Sequence, residues 1–369
     1  MDYITPGVAL SAPLEKRAIL EKRWDGLDNP LAWWIRSGLQ SHSPATDYPT
    51  NPSMPEELQS CGRNITPACY RALYNMPTPD EVAREYPNGP GNGLAVWEGG
   101  NFYNQSDLNA FFTKYARNVP NNTHPMLDSI EGALVNQSAG AADRAESNVD
   151  ISVMYALTYP QTITLYQIGT KAGYQPTGDT AADKVAELLY GMENMFDALD
   201  GSYCTENDTA HGIECGIYSP AQVTSISYGG GEINYPPKQQ QRQCNEFMKL
   251  SLQGHTFIAS SGDYGVSQDQ TYHPAPDGTI TWTNGCIDPS NLPGTLASDV
   301  NGTVFSTNYP STCPWVLSVG ATMLNDNDTV LDAESAMNMP VAVSIEQMPI
   351  LQNVTNPEYT SSSSGYVIA

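Results

Sequence analysis

Apolar and polar positions along this chain fall into two alternating periods. Leu94-Ala95-Val96-Trp97 is a short apolar run that reads as a buried strand ending near Gly99-Gly100. Ser106 is placed to N-cap a helix whose Leu108, Phe111, Phe112 and Tyr115 share one face at i, i+3, i+4 and i+7. A helix around Ala142–Leu157 stops before Pro160 and feeds a strand over Thr162–Ile168. The next helix carries Val185, Leu188, Leu189, Met192, Phe196 and Leu199 on its stripe, with Gly201 as the C′ residue. Gln222–Tyr228 is the following strand. The helix Gln241–Gln253 buries Cys244, Phe247 and Met248 and ends at Gly254, then come strands over Thr256–Ser260 and Trp315–Val319. Strands alternating with helices predict an α/β domain with a mainly parallel sheet covered by helices on both faces.

Residues 1 to 60 have a different character. Two dibasic pairs, Lys16-Arg17 and Lys22-Arg23, precede a Pro/Ser/Asn-rich stretch that includes Ser43-Pro44 and Pro49-Thr50-Asn51-Pro52. That composition suits an exposed, poorly ordered linker open to proteolysis. The compact alternation begins at Cys61, so the expected division is 1–60 and 61–369.

Charge narrows the partners. The 369 residues carry 16 basic against 40 acidic side chains, a formal net charge of −24. Nucleic acid is excluded as a partner, since its phosphates require Lys and Arg to replace their counterions. The sequence pI of about 4.3 points to a protein adapted to acid, where protonated carboxylates relax the self-repulsion. There is no membrane-spanning apolar stretch, and the start Met1-Asp2-Tyr3-Ile4-Thr5-Pro6 lacks the basic and apolar regions of an export signal.

Seven cysteines and eight N-x-Ser/Thr sequons favour secretion. The cysteine spacings suggest Cys61–Cys69, Cys204–Cys215 and Cys286–Cys313 as bridges, which leaves Cys244 as a buried helix thiol. No Cys-x-x-Cys occurs and the five histidines are scattered, so a zinc cage is not expected.

Two segments carry candidate chemistry. In Ala145-Glu146-Ser147-Asn148-Val149-Asp150, the two acids lie four apart and share a helix face that continues into Val153 and Leu157. On a solvated face such a pair would mean nothing. Running into an apolar stripe, it must share a proton or be tightly hydrogen-bonded, which makes a base able to work in acid. The second segment is Ser260-Ser261-Gly262-Asp263-Tyr264-Gly265-Val266. It follows a strand directly, at the carboxyl end where open α/β sheets place their sites, with glycines that permit a tight turn.

These segments, with Val223-Thr-Ser-Ile-Ser-Tyr-Gly229 and Tyr309-Pro-Ser-Thr-Cys-Pro-Trp-Val-Leu-Ser-Val-Gly-Ala-Thr322, resemble the sedolisin family. Ile65-Thr-Pro-Ala-Cys-Tyr-Arg-Ala-Leu-Tyr74 and Phe196-Asp-Ala-Leu-Asp-Gly-Ser-Tyr-Cys204 resemble its fungal tripeptidyl-peptidase branch, and the likeness runs from about Cys61 to Gly365. The resemblance implies a subtilisin-like fold and an acid-active serine-carboxyl peptidase acting on peptides or proteins. Glu146 would then be the general base that activates a serine, Asp150 would orient and polarise it, and Asp263 would be the oxyanion acid. It further implies a secreted, monomeric zymogen whose propeptide ends within residues 1–60, and a calcium ion bound by a C-terminal region.

The family's nucleophile lies in a Gly-Thr-Ser segment, and neither that segment nor Gly-x-Ser-x-Gly occurs here. Ala321 stands where the family has a second glycine, and Val367-Ile368-Ala369 departs from its pattern after Gly365-Tyr366. The expectation is a chain truncated at both ends that cannot complete acyl transfer, with a non-catalytic binding module as the alternative. A glycosidase fits less well, because its two carboxylates face each other across a cleft from different elements. A metalloprotease lacks its His-Glu-x-x-His.

Overall fold

The computed structural model describes residues 54–85, 93–140, 142–169, 191–232, 235–262, 272–274, 280–282, 307–324, 329–332 and 335–336. Its framework is a six-stranded sheet of β1 (Leu94–Gly99), β2 (Met126–Ile130), β3 (Ile163–Ile168), β4 (Val223–Ile226), β5 (Thr256–Ser260) and β6 (Leu317–Val319). The spatial order is β6-β5-β4-β1-β3-β2, and every pairing is parallel. The predicted α/β architecture is the observed one.

Strand β1 sits at the centre, paired with β3 on one side and β4 on the other. The chain runs outward to β2, returns to β3, and then crosses to β4. The carboxyl end of β1 therefore lies at the topological switch point, where crossovers diverge and leave a crevice.

Side-chain alternation along β1 sets the two faces. Helix α1 (Pro67–Leu73) precedes the sheet, and Val96 packs with Leu108 and Phe112 of helix α2 (Gln105–Tyr115) and with Ile151 of helix α3 (Ala145–Thr158). Ala95 and Trp97 face the opposite layer, with Met192 and Phe196 of helix α4 (residues 191–199) and Phe247 of helix α5 (Pro237–Leu252). There Phe247 meets Phe196 and Phe257 edge-on, with ring centroids 4.8 and 4.9 Å apart. Val185, Leu188 and Leu189, expected on the stripe of α4, lie outside the described residues.

Several local expectations need correction. Asn104, not Ser106, caps α2: its side chain accepts from the Ser106 and Asp107 backbone N–H groups. Asn and Ser are nearly equivalent caps, and helix geometry rewards whichever stands just before the first turn. Helix α5 starts earlier than its stripe predicts, with Pro237 in the first turn. It also buries polar Gln243, whose amide donates to Glu193 (3.1 Å) and whose oxygen accepts from the Tyr309 hydroxyl (2.6 Å). Met248 is only half-buried.

The cysteines hold the largest correction. Cys61–Cys69 and Cys204–Cys215 are bridged as expected, but Cys313 is bonded to Cys244, with Cα atoms 5.6 Å apart. Cys244 is therefore not a free thiol. Sequence proximity favoured Cys286, whereas the sheet brings the helix before β5 against the turn before its neighbour β6. Cys286 lies outside the described residues. Non-reducing peptide mapping is expected to recover a Cys244 peptide joined to a Cys313 peptide. A Cys286–Cys313 peptide in its place would refute this arrangement.

Candidate active site

Helix α3 carries the first predicted pair, and its frame explains how. Its carboxyl end is halted at Tyr159-Pro160, and Arg71 reaches across to donate to the Ala156 and Leu157 carbonyls at 3.0 and 2.8 Å. These are among the last carbonyls of the helix, which no intrahelical donor satisfies. Near the amino end, Asn148 accepts from the Asn104 N–H (2.8 Å) and donates to Asp107 (3.1 Å). Arg144 pairs with the same Asp107 at 3.4 Å. Both ends are thus tied to neighbouring elements, which fixes the azimuth at which the acids face the sheet.

Glu146 and Asp150 share this helix, as the spacing predicts, and Val153 and Leu157 below them are buried. Asp150 is 5% exposed, and Glu146 is half-buried. Ser227, the first residue past β4, donates its hydroxyl to Asp150 Oδ2 at 2.5 Å.

The sequence reading missed a third carboxyl. Glu98, near the carboxyl end of β1, is fully buried and accepts from the Tyr228 hydroxyl at 2.6 Å. Burial pushes its carboxyl well above the usual carboxylate range, and the charge of Asp150 pushes the same way. The Ser147 and Tyr228 hydroxyls oppose that rise only in part. In such a site two carboxyls hold one proton between them, because both cannot ionise so close together out of water. Tyr228 is half-buried with its hydroxyl at the inner end, and its phenol rises well above its ordinary value through burial and then through Glu98 and Glu146. The ring also stands edge-on to Trp97, centroids 5.0 Å apart. A signal for Glu98 was present in the sequence: an acid directly after the apolar run Leu94–Trp97 of a central strand can only be buried.

Glycine at 229 follows from the same packing. A Cβ there would lie 2.2 Å from the buried Asn308 side chain, so the segment after Tyr228 passes too close for any other residue.

The structure therefore brings Glu146, Asp150, Glu98, Ser227 and Tyr228 to the carboxyl ends of adjacent strands β1 and β4. Strand β5 lies next to β4 and ends in the same direction, with Ser261 and Gly262 described beyond it. Asp263, the third predicted site residue, lies outside the described residues.

No family model matches the chain. It is 33% identical to aorsin of Aspergillus oryzae over 364 residues, covering 92% of this chain and 48% of aorsin. Against tripeptidyl-peptidase sed1 of Aspergillus fumigatus it is 33% identical over 340 residues, covering 88% of this chain and 46% of that one. Tripeptidyl-peptidase SED1 of Arthroderma otae is 31% identical over 305 residues, covering 76% and 39% respectively. The chain thus spans about half the length of the first two of these relatives and less of the third. On these relatives the chain belongs to the sedolisin family, in the branch of the fungal tripeptidyl-peptidases.

Proposed function

We propose that this chain is the carboxylate-bearing portion of an acid-active serine-type peptidase. Glu146 takes the proton of a serine hydroxyl as it attacks the peptide carbonyl. Asp150 orients Glu146, and Glu98 with its shared proton steadies Asp150 from behind. Asp263 in protonated form donates to the oxyanion. Glu146 then returns the proton to the leaving amine as the C–N bond breaks, and a water repeats the cycle on the acyl-enzyme. The observation that supports this reading best is the packing of Asp150 against the fully buried Glu98 at the switch point. A hydrogen-bonded carboxyl pair held in a low-dielectric crevice costs stability, and positions that keep such a cost are enriched at reacting centres. An imidazole base would be protonated in acid, whereas a carboxylate still accepts a proton. The role of Asp263 rests on its motif alone.

The substrates we infer are peptides or proteins, with release of N-terminal tripeptides suggested by the relatives' names. We also infer a secreted, monomeric protein: the three disulfides among the described residues and the sequons fit an oxidising compartment. No helix among the described residues is long and apolar enough to cross a membrane. We infer that the calcium expected from the family is held by a C-terminal region; among the described residues no three His, Cys, Asp or Glu stand together to hold a metal ion.

The chain contains no Gly-Thr-Ser segment, so the 369 residues alone are expected to hydrolyse no peptide. Release of a fluorophore from peptide substrates, followed from about pH 3 to 7 where carboxyls change protonation, tests this. A form extended through a Gly-Thr-Ser segment is expected to turn over in acid. Turnover by the 369-residue chain would show that another residue is the nucleophile. An inactive extended form that still binds peptide would favour a non-catalytic binding module.

A further inference from the structure

The excursion from Cys204 to Cys215 is closed by its disulfide and lies over helix α4. A cavity of about 520 Å³ opens where it meets α4 and the amino half of α5, and Asp197 lines its wall. This residue is 4% exposed, and one of its carboxyl oxygens is buried with no hydrogen-bond partner among the described residues. The charges around it come from four elements. Glu193 shares its helix, Asp208 comes from the excursion, Glu131 from the turn after β2, and Arg242 from α5.

Arg242 does not relieve the crowding. Its guanidinium is paired with Glu193, donates to the Tyr203 carbonyl at 2.6 Å, and stacks 3.6 Å over the Tyr203 ring. Lys238 stands exposed on the rim, and His211 lines the cavity from the excursion's exposed side. Burial, then Asp208 and Glu193, push the Asp197 carboxyl up to about 7, with Arg242 offsetting only part.

The excursion is tethered on both sides of this carboxyl. The Gly216 N–H donates to the Asp197 carbonyl at 2.7 Å, and the Tyr218 N–H to that of Ala198 at 3.0 Å. Glu214 and Glu131 each accept the other's backbone N–H at 2.7 Å. The second oxygen of Glu131 is buried without a partner among the described residues. These tethers bring like charges together, so the excursion closes over carboxyls that repel one another when ionised.

We propose that the disulfide-closed excursion 204–216 is a pH-operated clasp, seated over Asp197 in acid and locally released when that carboxyl ionises toward neutral pH. Opening would hydrate Asp197 and return it to the ordinary carboxylate range. The closed form therefore holds a proton that the open form loses between about pH 4 and pH 7. A carboxyl whose value is raised in the closed state favours closure fully at low pH, and that preference fades as pH rises through about 7. The opening constant grows by up to about tenfold per pH unit across the window. Local openings of this kind fall at the low-stability end of a native structure and are read by amide exchange.

Hydrogen exchange of the full chain at pH 5 and pH 7.5, corrected for the intrinsic chemical rate, tests the clasp. Amides of 204–216 are expected to open at least about tenfold more at pH 7.5, while those of β1, β3 and β4 stay far better protected than the segment at both values. Asp197→Asn is expected to keep the segment closed at both values. His211→Asn, which removes the imidazole that lines the same cavity, is expected to leave the dependence in place. Equal protection of the wild-type segment at both pH values overturns the proposal, as does a dependence that survives Asp197→Asn or vanishes with His211→Asn. Should Asp197→Asn not fold, the wild-type profile still decides: a midpoint between pH 6 and 8 supports the clasp, and one below 5 overturns it.

Discussion

Glu146→Gln, introduced into a form extended through a Gly-Thr-Ser segment, is expected to lower kcat by about 10²–10⁴ with little change in KM. The amide keeps the volume and one acceptor oxygen of the carboxylate but cannot take the serine proton. Losing the base removes an interaction made in the transition state rather than in the bound ground state, so kcat and kcat/KM fall together. Single-turnover acylation is the measurement to make, because it separates the chemical step from product release. An equal loss on Glu146→Ala but none on Glu146→Gln would assign Glu146 to packing, and the proposed role would fail.

At the opposite end of the carboxyl row, Glu98→Gln is expected to stabilise the chain near neutral pH by roughly 1–3 kcal/mol and to change little in acid. The direction follows from proton counting. Burial raises the folded-state value of Glu98 well above the ordinary carboxylate range. Between the ordinary value and the folded one, the native chain binds more protons than the unfolded chain, so stability falls as pH rises. The contribution is complete below about pH 4.3, the unperturbed value for Glu. It is lost as pH climbs through the raised value, where the native state must ionise a buried group beside Asp150. Glutamine has no such proton to lose and can still accept from Tyr228. Tyr228→Phe tests the same contact from the other side. It withdraws the 2.6 Å donor from Glu98 Oε2 and is expected to cost about 1–3 kcal/mol at all pH values. Urea unfolding of the three proteins at pH 4 and pH 7 gives all of these numbers. A wild-type stability that rises between pH 4 and 7, with the same rise in Glu98→Gln, would show that Glu98 is not the group responsible.

The two carboxyl systems can be told apart by where they act. Glu98 lies inside the central sheet, so its titration moves global unfolding. Asp197 lies under one excursion, so its titration moves the exchange of 204–216 first. Both favour the folded chain in acid, as the net charge of −24 also does. A protein with these features is strongest where a carboxylate-based peptidase would work.

Much of this was set by local sequence. The strand at Leu94 and the helices ending at Tyr159 and Gly254 follow from short-range rules, since side-chain period and breakers act over a few residues. The coincidence of Glu146 and Asp150 on one face needs only the helical repeat. Two disulfides with short loops were legible for the same reason. What tertiary structure alone decided involves residues far apart along the chain. Cys244 and Cys313 are 69 residues apart, and they meet because β5 and β6 are neighbours in a parallel sheet. Glu98 precedes Asp150 by half a hundred residues, and only the central position of β1 sets it against α3 and Tyr228. Gln243 reads as polar and is buried, because Glu193 and Tyr309 arrive from other elements to satisfy it. Periodicity shows which side of an element is buried. Which groups face one another there depends on strand order, and strand order is fixed by packing across the whole sheet.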